Sequence, residues 1–247
     1  MIENFFWDLI GAATIAVLGY CARLLKENRR RLALLGTSIT KQKKRIRISA
    51  AYLFRIKIDE RYLLILGGNI DQYQPVGGVY KFFPSAKIIR EELGIERDTK
   101  FVEGPKAKDD IRITLPGKNL LKFMNWFDAR IGREVDTWRE FHEELVASGC
   151  LSVQNAIDTF EPEFIKRAPT KVQYKSQMGM DELLVFDIYE VILNEAAERE
   201  IRAAMNGDDE RRFILVEETD ITRECVSVDG VSKNIAGSAK WVISDGR

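Results

Sequence analysis

The run Trp138–Val146, WREFHEELV, places Glu140, Glu143 and Glu144 close together. On a helix, spacings of three and four put side chains on one face. Carboxylates one turn apart suit magnesium or manganese, which prefer near-octahedral oxygen sites completed by water and ligand phosphates. Such an ion could neutralise a pyrophosphate and activate a water. Arg139 can pair with a glutamate and fix its rotamer. The same pattern also describes an ordinary solvated helix face, and the residues alone leave both readings open. Trp138, Phe141 and Leu145 fall at i, i+3 and i+7, so they can anchor the helix in a core and give the carboxylates a rigid base.

A phosphate-rich ligand has other potential partners in Arg112, Arg130, Arg133 and Arg139. Tyr80, Phe82 and Trp126 can stack on a base or fill a core. Asp109 and Asp110 can add carboxylates or simply start a strand. Other chemistries find little support. The single histidine, His142, cannot build a multi-histidine metal site, and no GxSxG precedes it to make a serine triad. Cys21, Cys150 and Cys225 are far apart with no CxxC, which argues for a reducing compartment and against a zinc site. Lys+Arg and Asp+Glu are both 38, so net charge gives no argument for binding a nucleic-acid polymer.

Several elements must position these residues. Arg45–Asp59 and Arg61–Gly67 are rich in β-formers and flank a polar turn at Asp59-Glu60, which predicts a hairpin. Ser85–Leu93 reads as a helix stopped at Gly94. Asp110–Leu115 alternates as a strand, Pro116-Gly117 breaks it, and Lys118–Arg130 is helical. Arg133–Ala147 reads as the helix that carries the glutamates. Lys171–Lys175, Glu182–Leu193, Phe213–Val216 and Ala239–Ile243 read as strands, and Glu195–Met205 as a helix. Apolar residues are 45% and charged residues 31% of the chain. A folded α+β or α/β body, with a sheet covered by helices, is the expectation.

The N-terminus carries a different signal. Phe5–Leu25, FFWDLIGAATIAVLGYCARLL, has no charge from Leu9 to Ala22. It is long enough to cross a bilayer as a helix, which needs about 20 residues. Phe5, Phe6, Trp7 and Tyr20 sit where aromatic belts form. Glu3 and Asp8 at the start argue against a cleaved signal peptide. The basic run from Arg23 to Arg45 places the following chain on the cytoplasmic side, and it can rest on anionic headgroups. The small residues Gly11–Thr14 offer a helix–helix seam. A helix then runs over Leu25–Leu35 to a break at Gly36-Thr37-Ser38. The expected division is 1–43, membrane helix and basic linker, and 44–247, the folded domain.

Arg139-Glu140-Phe141-His142-Glu143-Glu144-Leu145 resembles the core of the NUDIX box, R-E-U-x-E-E, where U is a bulky apolar residue. Gly77-Gly78, after Gln74-Pro75-Val76, looks like the strand-and-glycine element that opens that box. Two features depart from the pattern. Val79–Trp138 intervenes where an ordinary box has one short loop and a helix turn. Val146 stands where a glycine is expected. A second fragment, Arg90-Glu91-Glu92-Leu93-Gly94-Ile95, mimics the end of the box but has Ile88 where a glutamate is needed. With the N-terminal span, QPVGGVYKFF, DDIRITLPGKNLLKFMNWF, GREVDTWREFHEEL and DELLVFDIYEV in order, the chain resembles the membrane-anchored SMODS-associated NUDIX effectors. These are linked to CD-NTases in bacterial antiphage defence (CBASS).

The resemblance implies an α/β/α NUDIX sandwich with a mixed sheet over roughly Lys44–Ile243. It implies metal ligation by Glu140, Glu143 and Glu144, and nucleotide contacts from Arg112, Arg133, Arg139, Gly77 and Gly78. It further implies a cyclic-oligonucleotide messenger as ligand, homo-oligomers on activation, and an inner-membrane protein that impairs its membrane and so aborts infection. Three functions follow for testing. One is a membrane-anchored receptor. The second is a tethered, metal-dependent nucleotide pyrophosphohydrolase, which would lose turnover in Glu143→Gln and Glu144→Gln. The third is a non-catalytic interaction module indifferent to metal.

Overall fold

The computed structural model describes residues 28–68, 70–98, 107–168, 171–207 and 211–243. The expected membrane helix, Phe5–Leu25, lies outside the described residues. Among the described residues no helix is long and apolar enough to cross a membrane.

The organising element is strand β1 (Arg45–Ile58), buried over almost its whole length. On one side it pairs in parallel with β9 (Met180–Val191), from Ile46↔Asp181 to Ile56↔Val191. On the other it pairs antiparallel with β6 (Arg112–Pro116) and then with β4 (Gly77–Val79). Short β5 (Glu96–Arg97) extends this sheet beyond β6, and β7 (Glu163–Ala168) and β8 (Gln173–Lys175) extend it beyond β9. The end of β1 turns into β2 (Arg61–Leu66). Asp59 and Glu60 both have positive φ, as a tight hairpin turn whose twist matches the strands requires. A second sheet then runs β10 (Phe213–Val216), β2, β3 (Gln72–Pro75), β12 (Val231–Ile235) and β11 (Cys225–Val228).

Period-two alternation along β1 divides the interior. Ile46, Ile48, Ala50, Tyr52, Phe54, Ile56 and Ile58 face one core. That core also takes Phe123 and Phe127 of α3 (Leu120–Ala129), Phe141 of α4 (Trp138–Phe141), Ala156 of α5 (Val153–Thr159) and Ile201 of α6 (Glu195–Asn206). Leu53, on the opposite face, belongs to a second core with Ile221 of α7 (Glu218–Arg223) and Val242 of α8 (Lys240–Ile243). Helices therefore cover both faces of a mixed sheet, the arrangement expected of a NUDIX-like sandwich.

Three local expectations are corrected. The helix after the N-terminal segment, α1 (residues 28–40), runs through Gly36 rather than breaking there. Thr37 Oγ1 donates to Ala33 O and Thr40 Oγ1 to Gly36 O, and Leu34 is buried in the first core. Ala239–Ile243 is helical rather than a strand. Val242 N–H bonds Ala239 O, while its side chain packs into the second core, so tertiary burial overrides β-propensity. The helix with the glutamates begins at Trp138, not Arg133. Glu134 N–H is already bonded to Lys81 O, and Asp136 Oδ1 accepts from Trp138 N–H.

Candidate functional site

The glutamates lie on one continuous turn that changes type midway. Trp138–Phe141 is α-helical, and His142–Val146 is a π-turn closed by Ala147 N–H on His142 O. Single π-turns within α-helices are rare and concentrate at functional sites. Phe141 and Leu145 are fully buried and Trp138 packs against the same core, which fixes the turn.

Chain order separates this turn from Gly77-Gly78, but the fold brings them together. The intervening segment leaves through α2 (Lys87–Glu92), β5, β6 and α3. It returns through a Phe82↔Arg133 bridge and the Glu134–Lys81 bond. The long excursion therefore closes beside its starting point. Gly77 N–H donates to Glu144 Oε2 at 2.7 Å. A Cβ at Gly78 would occupy the space of the Glu140 side chain. At Gly77, where φ is +151°, a Cβ would run into the Tyr52 carbonyl oxygen and lie 2.9 Å from Leu53 Cα. Both glycines are required by close approach of backbone and carboxylate.

Arg139 ties the turn together. It donates to Glu134 at 2.7 and 3.0 Å, to Glu140, and to Val79 O at 3.1 Å, and lies 3.7 Å from Glu143. Burial opposes its charge, but the Glu134 bonds and the Glu140 carboxylate outweigh burial and raise its pKa. Glu140 is pushed above the ordinary carboxylate value, chiefly by burial and against the pull of Arg139. Burial pushes Glu144 well above it, despite the Gly77 amide, and Glu140 and Glu143 add to the rise. Glu134 is the member that sequence reasoning missed. Its sole sequence signal was a spacing of five from Arg139. Tyr52 was missed too. Its hydroxyl is buried, and Glu134, Arg139 and Glu140 all influence it.

The other expected ligands lie elsewhere. Arg133 is only 2% exposed; its guanidinium donates to Phe127 O and Glu134 O and stacks over the Phe127 and Tyr80 rings. Arg112 lies on β6 opposite Ser49, 3.9 Å from Asp110. Tyr80 and Phe82 are core residues, and Trp126 stacks on Phe82. They are engaged in packing rather than offered as a platform for a base. In the second box-like fragment, Glu91 and Glu92 are exposed at the end of α2 and Leu93 is buried.

Among the described residues no three His, Cys, Asp or Glu side chains are arranged to hold a metal ion. Glu140 is held by Arg139 and Glu144 by an amide. The donor type still suits magnesium or manganese: several carboxylates crowd one turn, and Glu143 disfavours ionisation of both Glu140 and Glu144.

The raised Glu144 pKa yields a pH test. The folded state holds this proton more tightly than the unfolded chain does. The associated stability is complete below the ordinary value of 4.5 and is lost as pH rises through the raised value. Glu144→Gln keeps an acceptor for Gly77 N–H without the charge. Its melting temperature relative to the parent should therefore climb as pH is raised from about 4 to about 8. A difference that stays flat across that range would contradict the assigned burial.

A mixed sheet between helices, with paired glycines under an R-E-x-x-E-E turn, defines a NUDIX-like domain. The family model described as SMODS-associated NUDIX domain matches residues 45–243, and the chain belongs to that family. It is thus a NUDIX effector linked to CD-NTase systems. No curated protein and no solved structure matches the chain.

Proposed function

We propose that this chain is a membrane-anchored receptor. Its NUDIX domain takes up a cyclic oligonucleotide made by a CD-NTase, copies of the chain assemble, and the N-terminal segment then impairs the inner membrane. The N-terminus lies outside and the domain faces the cytoplasm. Family membership supports the link to a CD-NTase signal, and the charge-free stretch Leu9–Ala22 supports the anchor.

The observation that carries the reading is the state of the glutamate turn. Glu134, Glu140 and Glu143 surround one arginine, so a bare phosphate is repelled. Glu140, Glu143 and Glu144 would hold a magnesium or manganese ion, which neutralises ligand phosphates when bound. Arg139 would then exchange a carboxylate for a phosphate oxygen. Glu144 Oε2 is committed to Gly77 N–H, so in this arrangement that oxygen is not free to take a proton from an attacking water. This supports a site that changes on ligand arrival over one tuned for turnover.

The test offers cyclic di- and trinucleotides to the detergent-solubilised full chain with magnesium. One of them should raise the melting temperature by about 5–10 °C at a hundredfold excess over its Kd and increase particle size. Retention of the R-E-x-x-E-E turn favours the tethered hydrolase as the second reading. No shift with any cyclic nucleotide, together with metal-dependent cleavage of a dinucleoside polyphosphate, would establish that one instead.

A further inference from the structure

The second sheet ends in two strands, β10 and β11, that each have one partner among the described strands, β2 and β12 respectively. Both line the same cavity of about 450 Å3, in the range of small-ligand sites. Its apolar surface comes from Met205, Phe213, Leu215, Val226 and Val228. Three arginines from three different elements also line it: Arg61 at the start of β2, Arg202 on α6, and Arg211 just before β10. Only one acidic residue, Asp229, lines it among those described.

Two of these arginines make ion pairs with exposed partners. Arg202 meets Asp59 and Arg211 meets Asp229, and both aspartates are about two-thirds exposed. Exposed ion pairs of this kind contribute little, so an incoming anion displaces them cheaply. Guanidinium groups present paired N–H donors that match phosphate oxygens. Strand edges without a strand partner supply backbone donors and acceptors of the kind that read the polar edge of a base, while the apolar floor takes its flat face.

The geometry points to a second ligand site for a nucleoside phosphate, with the phosphate on Arg61, Arg202 and Arg211 and the base between β10 and β11. Nothing in it uses the glutamate turn, and the ligand class follows from this lining alone.

The four 5′-ribonucleoside monophosphates, inorganic phosphate and free nucleosides are titrated against the solubilised full chain without divalent metal. At least one monophosphate should bind saturably, and at least tenfold more tightly than inorganic phosphate or its own nucleoside. The double change Arg61→Ala/Arg202→Ala should weaken it at least tenfold, while Glu143→Gln leaves it unchanged. Melting curves confirm that the double variant is folded; single Arg61→Glu serves if it is not. The inference is overturned if no monophosphate binds, if inorganic phosphate binds as well as the nucleotides, or if binding survives loss of the arginines. Failure of every cyclic nucleotide in the receptor test would remove that reading without touching this one, because here only mononucleotides are measured.

Discussion

Asp187→Asn should lower the melting temperature by about 10 °C, the largest effect expected of any isosteric change in this domain. Asp187 sits on β9, only 2% exposed, directly across from Arg167 on β7. Arg167 donates to both of its oxygens, and Tyr80 Oη donates to Oδ2 at 2.9 Å. The carboxylate serves two more arginines through space. It favours the charge of buried Arg133. It also favours that of Arg30 on α1, where burial and Arg167 work against the charge and one nitrogen has no hydrogen-bond partner among the described residues. Removing the charge leaves Arg167 and Arg30 with Asp128, itself 56% exposed, as the carboxylate that still favours their charge among the described residues. Breaking a buried pair by removing one partner costs about 3–5 kcal/mol, and each kcal/mol moves the midpoint by about 2–4 °C in a domain of this size. A shift below about 3 °C would mean that water or relaxation already compensates the cluster.

The same cluster links elements that matter to function. Arg30 comes from the helix nearest the N-terminal segment. Tyr80 follows Val79, whose carbonyl accepts from Arg139. One buried carboxylate therefore lies between the first described helix and the strand that cradles the glutamates. Asp187→Asn should accordingly disturb the turn as well as the fold.

None of this linkage was legible in the chain. Asp187 reads as one acidic residue in an alternating strand, and its partners come from four distant segments. What the sequence did reveal follows local rules. The Asp59-Glu60 turn between β-rich runs, the helix stop at Gly94 and the anchoring of the turn by Phe141 and Leu145 all depend on spacing and propensity. The R-E-x-x-E-E pattern located the carboxylates despite the displaced box. The placement of Arg133 was not readable, because its burial depends on a bridge to Phe82 across a long excursion. Glu134 was missed for the same reason: its backbone is tied to Lys81, far back in the chain, beside the strand that Arg139 also reaches. Short strands such as β11 and β12 have too few residues for periodicity to speak, and α8 follows tertiary packing against its own β-propensity.

Gly77→Ala and Gly78→Ala, though adjacent, should behave differently. At Gly77 the new methyl group meets backbone, the Tyr52 carbonyl oxygen and Leu53 Cα, neither of which can swing aside. The residue also holds a positive φ that an L side chain rarely adopts. Strain of that kind costs about 1–3 kcal/mol, and the forced separation of β4 from β1 adds to it. The variant should therefore melt about 10 °C lower and lose the amide that holds Glu144. At Gly78 the obstacle is the Glu140 side chain, which can rotate away. The domain should then lose less stability, while Glu140 leaves Arg139 and the carboxylate turn is dismantled. If the turn is where a metal-borne phosphate lands, Gly78→Ala should abolish any ligand-induced rise in melting temperature while the domain still unfolds cooperatively. A Gly78→Ala protein that keeps the full rise would remove the turn from the binding site; an equal loss of stability in both variants would show that Glu140 is as fixed as the backbone.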